Sequence, residues 1–164
     1  MADELRILHE CLAKVREQRP DWSERLGRAL AGCDRLGASV PEPSVCGIHR
    51  DFYPAQVVVQ EARIYLIDFD LYCLGDPALD IGNFIGHMTE QSLRESSDAR
   101  ACAKQERALE EGFVELAGER CRAAITAYTT LTIARHIYLS TLFPSRQVFT
   151  PALLELCEQR LGLA

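Results

Sequence analysis

Nothing before residue 45 looks like a glycine loop that cradles phosphate, and no strand-like segment there carries a lysine aimed at a nucleotide. The chain has only two lysines, Lys14 and Lys104, and both fall in helical patterns. Its seven cysteines include no Cys-x-x-Cys pair, and an odd count with unpaired spacing argues against a zinc cluster or a disulfide framework. They are expected as buried or half-buried reduced thiols of a cytoplasmic protein. The chain does not open on a basic stretch followed by an apolar run, so no secretory signal is expected. No uncharged apolar run reaches the roughly 20 residues of a membrane helix, so no membrane contact is expected. Excess positive charge is missing too. A net charge of -6 argues against a broad nucleic-acid footprint and suits a cationic small substrate, although mild acidity serves solubility equally well. There is no internal repeat and no low-complexity tract.

What is present suits one domain: 164 residues, 48% hydrophobic and 26% charged. We expect a single unit over 1–164, with leading helices over 1–40, a loop-and-hairpin section over 45–85 and a helical section over 86–164. Leu5, Leu8, Leu12 and Val15 give a helix over 3–18, stopped by Pro20. Trp22, Leu26, Ala29, Leu30 and Cys33 give a second over 22–36, with Gly37 a candidate C-cap. Pro41-Glu42-Pro43 reads as a stiff connector. Val57-Val58-Val59 and Ile64 to Ile67 are short β-rich runs joined by a tight turn. Helices are expected over 78–90, over 98–117 with Ser97 as N-cap and Gly118 as C-cap, and over 119–142. Pro151 begins a last helix at its first turn. The fold class is therefore α+β, mostly helical, with a small β-hairpin.

The most informative stretch is His49-Arg50-Asp51-Phe52-Tyr53-Pro54-Ala55-Gln56, followed by Ile67-Asp68-Phe69-Asp70. It puts a carboxylate on a loop, an amide five residues later and a second carboxylate after an apolar run. Phosphoryl transfer with a magnesium nucleotide uses such a set: one group to orient a hydroxyl and take its proton, and two oxygen ligands for the metal. Asp51 is the candidate catalytic residue; the plainer alternative is an Asp that caps loop amides. Gln56 and Asp68 are the candidate metal ligands, against a polar residue at a strand start and a turn residue. Asp70 is a candidate for metal or substrate contact, or a solvated turn carboxylate. An antiparallel hairpin brings the start of one strand beside the end of the other, so Asp51, Gln56 and Asp68 are expected within roughly 10 Å of each other. His87, Arg135 and His136 either wall a substrate pocket or serve as satisfied structural groups. Glu110, Glu111 and Glu115 read as a solvated acidic helix face.

The pattern His-Arg-Asp-x-x-x-x-Gln, then Ile-Asp-Phe-Asp, then Gly75-Asp76-Pro77-Ala78-Leu79-Asp80 resembles the aminoglycoside phosphotransferase and choline kinase family. These are small-molecule kinases with a protein-kinase-like fold. The resemblance is specific over residues 45–85 and continues loosely to about 145. It implies ATP as phosphoryl donor, Mg2+ as cofactor and a small-molecule hydroxyl as acceptor. It matches Asp51 to the catalytic aspartate and Asp68 to the metal-binding aspartate after the hairpin. Gln56 takes a place more often filled by a metal-binding asparagine, one methylene shorter. Asp80 matches an aspartate that supports the catalytic loop from beneath, with His49 and Arg50 holding that loop. Val58 and Ile67 match cofactor-binding positions, the apolar floor under an adenine, or are simple core. A protein kinase fits less well: Asp-Phe-Asp lacks the glycine, and no Ala-Pro-Glu follows.

The resemblance also implies that this chain is the carboxy-terminal lobe only, beginning partway into it, with the amino-terminal lobe missing. Alone it is then expected to bind nucleotide weakly and turn over slowly. The competing expectations are a lone lobe used as a non-catalytic binding module, and a lobe completed by a partner chain. In either case Val57, Val59, Leu66, Leu71, Tyr72 or Leu74 would leave an apolar patch uncovered. That leads to an expected homodimer, or association with the missing lobe.

Overall fold

The computed structural model describes residues 1–163. It opens with α1 (Ala2–Gln18) and α2 (Ser23–Ala38), which turn back on each other through the short 3-10 turn Pro20–Trp22. Apolar residues at i, i+4 and i+7 put Leu8, Leu12 and Val15 on the inner face of α1. Trp22 closes the corner, its ring covered by the Arg19 guanidinium 3.9 Å away. Gly37 does not cap α2 as expected. It lies within the helix, where a Cβ would come 2.9 Å from Leu5 Cδ1, and Ser39 follows as the cap.

The middle of the chain supplies four short strands in two antiparallel pairs: β1 (Cys46–Ile48) with β4 (Cys73–Gly75), and β2 (Val57–Gln60) with β3 (Arg63–Leu66). The second pair is the expected hairpin, in the register Val57 with Leu66 and Gln60 with Arg63. Its turn needs a left-handed residue, which Glu61 supplies at φ 54°. The first pair was not foreseen. Three residues per strand, each strand holding a glycine, give too short a pattern to see. Glycine lets two side chains lie close on the backbone there: a Cβ on Gly75 would meet the end of Ile48, and one on Gly47 the Tyr72 hydroxyl.

Helices make up the rest: α3 (Ala78–Ser96), α4 (Ala103–Ala117), α5 (Arg122–Thr141) and α6 (Thr150–Arg160). Several boundaries differ from expectation; α5, expected from 119, begins at Arg122 after the 3-10 turn Glu119–Cys121. The first helix of this set continues six residues past 90, where Gln91 donates to Glu95, Arg94 to Glu90 and Ser96 Oγ to the Ser92 carbonyl. The Thr89 hydroxyl lies 2.9 Å from Ile85 O and 2.8 Å from Glu106 Oε1 and shares its one proton between them, so a buried polar turn costs little. Ser97 is then no N-cap. At φ 57° it ends α3 in the left-handed region, and α4 starts only at Ala103. Gly118 (φ 88°) ends α4 as expected, and Pro151 sits in the first turn of α6.

α5 runs through the centre and is buried on nearly every side, its buried polar groups including Thr129, Thr130, Thr132, His136 and Ser140. Its first half packs Ile125 and Tyr128 against Ile48, Leu79, Ile81 and Ile85. Its second half packs Ile133 and Ile137 against Leu8, Leu12, Leu26, Leu153 and Leu154. Burying each such side chain is worth about 1.5–3 kcal/mol, so α5 ties the loop-bearing end to the helical end. α3 can approach α5 closely because two glycines face it. A Cβ on Gly82 would lie 2.5 Å from Tyr128 Cβ, and one on Gly86 would lie 2.6 Å from Thr132 Cγ2. α2 and α6 are pinned by a two-pronged pair, Arg25 Nη2 to Glu158 Oε2 at 2.6 Å and Nε to Oε1 at 2.9 Å.

All seven cysteines are free. Cys46 is exposed rather than buried or half-buried, because β1 lies at the surface. No helix among the described residues is long and apolar enough to cross a membrane.

Candidate active site

The loop after β1 is held from three sides. Asp80, in the first turn of α3, accepts the amide N–H of His49 and of Arg50, each at 2.7 Å and each on its own oxygen. The β1–β4 pairing makes this possible: β1 delivers the loop, and β4 leads through Asp76-Pro77 into α3. Asp76 closes that entry by accepting the Ala78 N–H at 3.0 Å. Burial pushes the Asp80 carboxyl up, and the two amides oppose the shift by stabilising its charge.

From the hairpin side, His49 Nε2 donates to the Ile67 carbonyl at 2.8 Å. That ring packs on Phe69, with centroids 4.8 Å apart, and lies 5.7 Å from Phe52. One bond therefore spans from two residues before Asp51 to one residue before Asp68. From below, Asn83 Nδ2 donates to the Phe52 carbonyl at 3.0 Å, while its own oxygen accepts from Arg135 at 2.9 Å and from Thr132 at 3.2 Å.

Asp51 sits half-buried at the bend of this loop. The loop's buried backbone groups pair with Asp80 and Asn83, so Asp51 is not spent on capping them. Gln56 is 4% exposed, in a 3-10 turn that opens β2, and Asp68 follows β3 at φ 63°. Their side chains meet: Gln56 Nε2 donates to Asp68 Oδ2 at 3.1 Å. This leaves Gln56 Oε1 and the second Asp68 oxygen available to a cation. The backbone joins them as well, Ile67 N–H to Gln56 O at 3.1 Å. Asp70 lies exposed in the next turn, outside this contact. Val58 and Ile67 are 44% and 45% exposed, and so form no part of this chain's own core.

Several residues that hold the site carried no usable signal in the sequence. Glu4 of α1 lies between two guanidinium groups, 3.6 Å from Arg50 and 3.7 Å from Arg135. Nothing at that separation along the chain pairs them. Asn83 follows Asp80 by one helical turn, and that spacing does place both on one face under the loop. Arg50 stands at φ 71°, where a side chain is strained, and the paired Asp80 bonds hold it there.

His87 and His136 meet edge to face with centroids 4.6 Å apart, and His87 stacks on Tyr53 of the loop at 4.6 Å. Burial lowers both rings, His87 to about 4 and His136 to about 2, with Arg135 and Arg146 adding to the effect. Both rings are held neutral behind the loop, and His136 Nε2 is buried with no hydrogen-bond partner among the described residues. Glu110 and Glu111 are engaged by Arg122, at 2.9 Å and 3.1 Å, and are not a free acidic face.

Chemically, the anchored loop carries the Asp51 carboxylate, and Gln56 Oε1 and Asp68, which meet each other, are oxygen donors of the kind a hard cation takes. Over residues 1–123 the chain matches the family described as the phosphotransferase enzyme family. No curated protein and no solved structure matches it.

Proposed function

Since the chain belongs to the phosphotransferase enzyme family, we propose that it carries the catalytic face of an ATP- and magnesium-dependent phosphoryl transfer to a hydroxyl of a small molecule. The observation that carries this reading is the 3.1 Å contact between Gln56 and Asp68, on a loop anchored two residues before Asp51. Asp51 orients the acceptor hydroxyl and takes its proton as the new bond forms. Gln56 Oε1 and the Asp68 carboxylate are the residues that would hold Mg2+, a cation usually bound by one or two protein oxygens plus phosphate and water. When bound, the ion neutralises charge on the phosphates during transfer. Asp80, His49 and Asn83 act before any chemistry, by fixing the loop so that little reorganisation remains. Val58 and Ile67 supply apolar surface for the adenine.

Lys14 and Lys104 lie in α1 and α4, so a phosphate-pairing lysine does not come from them, and nucleotide binding by these residues alone is weak. The exposed apolar face favours a partner over the hairpin. Val59, Leu66, Leu71, Tyr72 and Leu74 are 68%, 45%, 53%, 59% and 76% exposed; Val57 is half-buried and drops from that set. A second copy of the chain, or a separate lobe, would cover it. A non-catalytic binding role is the alternative if no transfer is found in any assembled form.

The test is a calorimetric titration with magnesium-ATP together with a transfer assay. Binding is weak in the chain alone and lost in Asp68→Ala. Wherever transfer is measurable, Asp51→Asn lowers kcat by about 10²–10⁴-fold and leaves nucleotide affinity within about twofold. Equal losses in both would make Asp51 structural.

A further inference from the structure

β3 is an open edge. The hairpin is a two-stranded sheet, so one side of β3 carries no strand. Ile67 N–H donates to Gln56 O across the hairpin, and backbone groups alternate sides along a strand. Arg63, Tyr65 and Ile67 therefore point theirs at β2, while Ile64 and Leu66 point theirs outward. Every residue from Val58 to Tyr72 is exposed, Ile64 at 69%. A lone hairpin is marginal in water, and an uncovered edge is a template for another strand. The usual protections are missing: no proline and no charge interrupts Ile64-Tyr65-Leu66-Ile67, and the pairing with β2 runs without a bulge.

The edge suits a second copy of itself. It begins at Arg63, passes through four apolar residues and ends at Asp68. Antiparallel pairing sets outward residues opposite outward residues. The register that uses both puts Ile64 opposite Leu66 of the second copy, and Leu66 opposite its Ile64, with the two-fold axis at Tyr65. Arg63 then lies opposite Ile67, one residue from Asp68, so each end sets a cation beside the other copy's anion. That end is also the candidate metal site. Gln56, Val58 and Gln60 alternate onto one face of the hairpin, and their partners Ile67, Tyr65 and Arg63 share it. The Asp68 carboxylate reaches the same face, where it meets the Gln56 side chain at 3.1 Å.

We infer that two copies of the chain join through β3 into a four-stranded antiparallel sheet, and that this dimer and the magnesium-nucleotide form exclude each other, because Arg63 of one copy takes Asp68 of the other. The pairing stands on the edge alone; the exclusion rests on the reading of Asp68 as a metal ligand.

Light scattering of the full chain across a dilution series should show a dimer that separates on dilution. Arg63→Glu and Asp68→Arg should each weaken self-association at least tenfold. An equimolar mixture of the two should restore it to within threefold, since every charge pair is then opposite again. Tyr65→Cys, at the axis, should give at least fivefold more disulfide-linked dimer with the thiol oxidant diamide than Ile64→Cys, each scored against the unchanged chain with its exposed Cys46. Magnesium-ATP should shift the wild type toward monomer and bind Arg63→Glu more tightly than a concentrated wild type. A wild type that is monomeric at every concentration overturns the pairing, as does a Tyr65→Cys cross-link no stronger than that of Ile64→Cys. A cross-link without rescue by mixing, from two variants whose circular dichroism matches the wild type, rejects the Arg63–Asp68 contact and the exclusion with it. Magnesium-ATP that binds Arg63→Glu but leaves the wild-type mass unchanged also rejects the exclusion. Magnesium-ATP that binds no form removes the phosphotransfer reading, and scattering and cross-linking alone then decide the dimer.

Discussion

Replacing Asp80 by Asn isolates what holds the loop that carries Asp51. The carboxylate takes two amide N–H groups, His49 on Oδ2 and Arg50 on Oδ1, both at 2.7 Å. Asn offers one oxygen in that plane and turns an NH2 toward the other amide. One buried amide is then orphaned against another donor, which costs about 1–3 kcal/mol. Burial raises the Asp80 carboxyl, so its charge is itself held at some expense, and removing the charge returns part of that cost. The net expectation is a loss of about 1–2 kcal/mol for Asn. Ala removes the same charge but orphans both amides, and should lose about 2–4 kcal/mol. The stability assay is urea unfolding. The local assay is amide hydrogen exchange, in which one of the His49 and Arg50 amides should lose protection in Asn and both in Ala. If Asp80→Asn kept both amides protected and shifted stability by less than about 0.5 kcal/mol, the loop would be held by something else.

Four further outcomes follow from the geometry. Arg50→Gly relieves the strain of φ 71° and loses only a 3.6 Å partly exposed pair to Glu4, so urea unfolding should shift by less than about 1 kcal/mol in either direction. Gly82→Ala forces a methyl against Tyr128 and the Thr129 amide, and should cost about 2 kcal/mol or more in the same assay. His87 and His136 have folded pKa values depressed to about 4 and about 2, so below about 6.5 the unfolded chain binds protons that the folded chain refuses. Their contribution is fully present above that pH and is lost as pH falls. Each ring should remove about 1.4 kcal/mol per pH unit between pH 6 and 4, a slope that His136→Gln should roughly halve in pH-dependent urea melts. Leu71→Asp and Leu74→Asp should lower the average mass of any assembly seen by light scattering across a dilution series. A wild type that stays monomeric, with both variants unchanged in mass and solubility, would reject a partner over the hairpin.

The helical elements were legible because their apolar residues recur at turn spacing over long stretches, as Leu8, Leu12 and Val15 do. The hairpin was legible because a change from helical period to Val57-Val58-Val59 and back is abrupt. The convergence of Gln56 and Asp68 followed from one topological rule about antiparallel ends. The β1–β4 pair escaped notice because its strength comes from glycine-enabled closeness to Ile48 and Tyr72, which a three-residue pattern does not reveal. The continuation of α3 to Ser96 escaped because its polar run reads as surface: Thr89 is tied to Glu106 of α4, and Glu90 is paired along the helix with Arg94. Glu4 could not be linked to Arg50 and Arg135, since charge pairing across the fold leaves no trace in local spacing.

The most direct test of the phosphotransfer site is paramagnetic broadening by manganese-ATP in an amide NMR spectrum of the full chain, because it reports even weak binding. Signals of residues around Gln56 and Asp68 should broaden first, and Asp68→Ala should abolish the effect. Broadening centred on Glu110 and Glu111, or broadening that survives Asp68→Ala, would contradict the placement of metal and nucleotide at this loop.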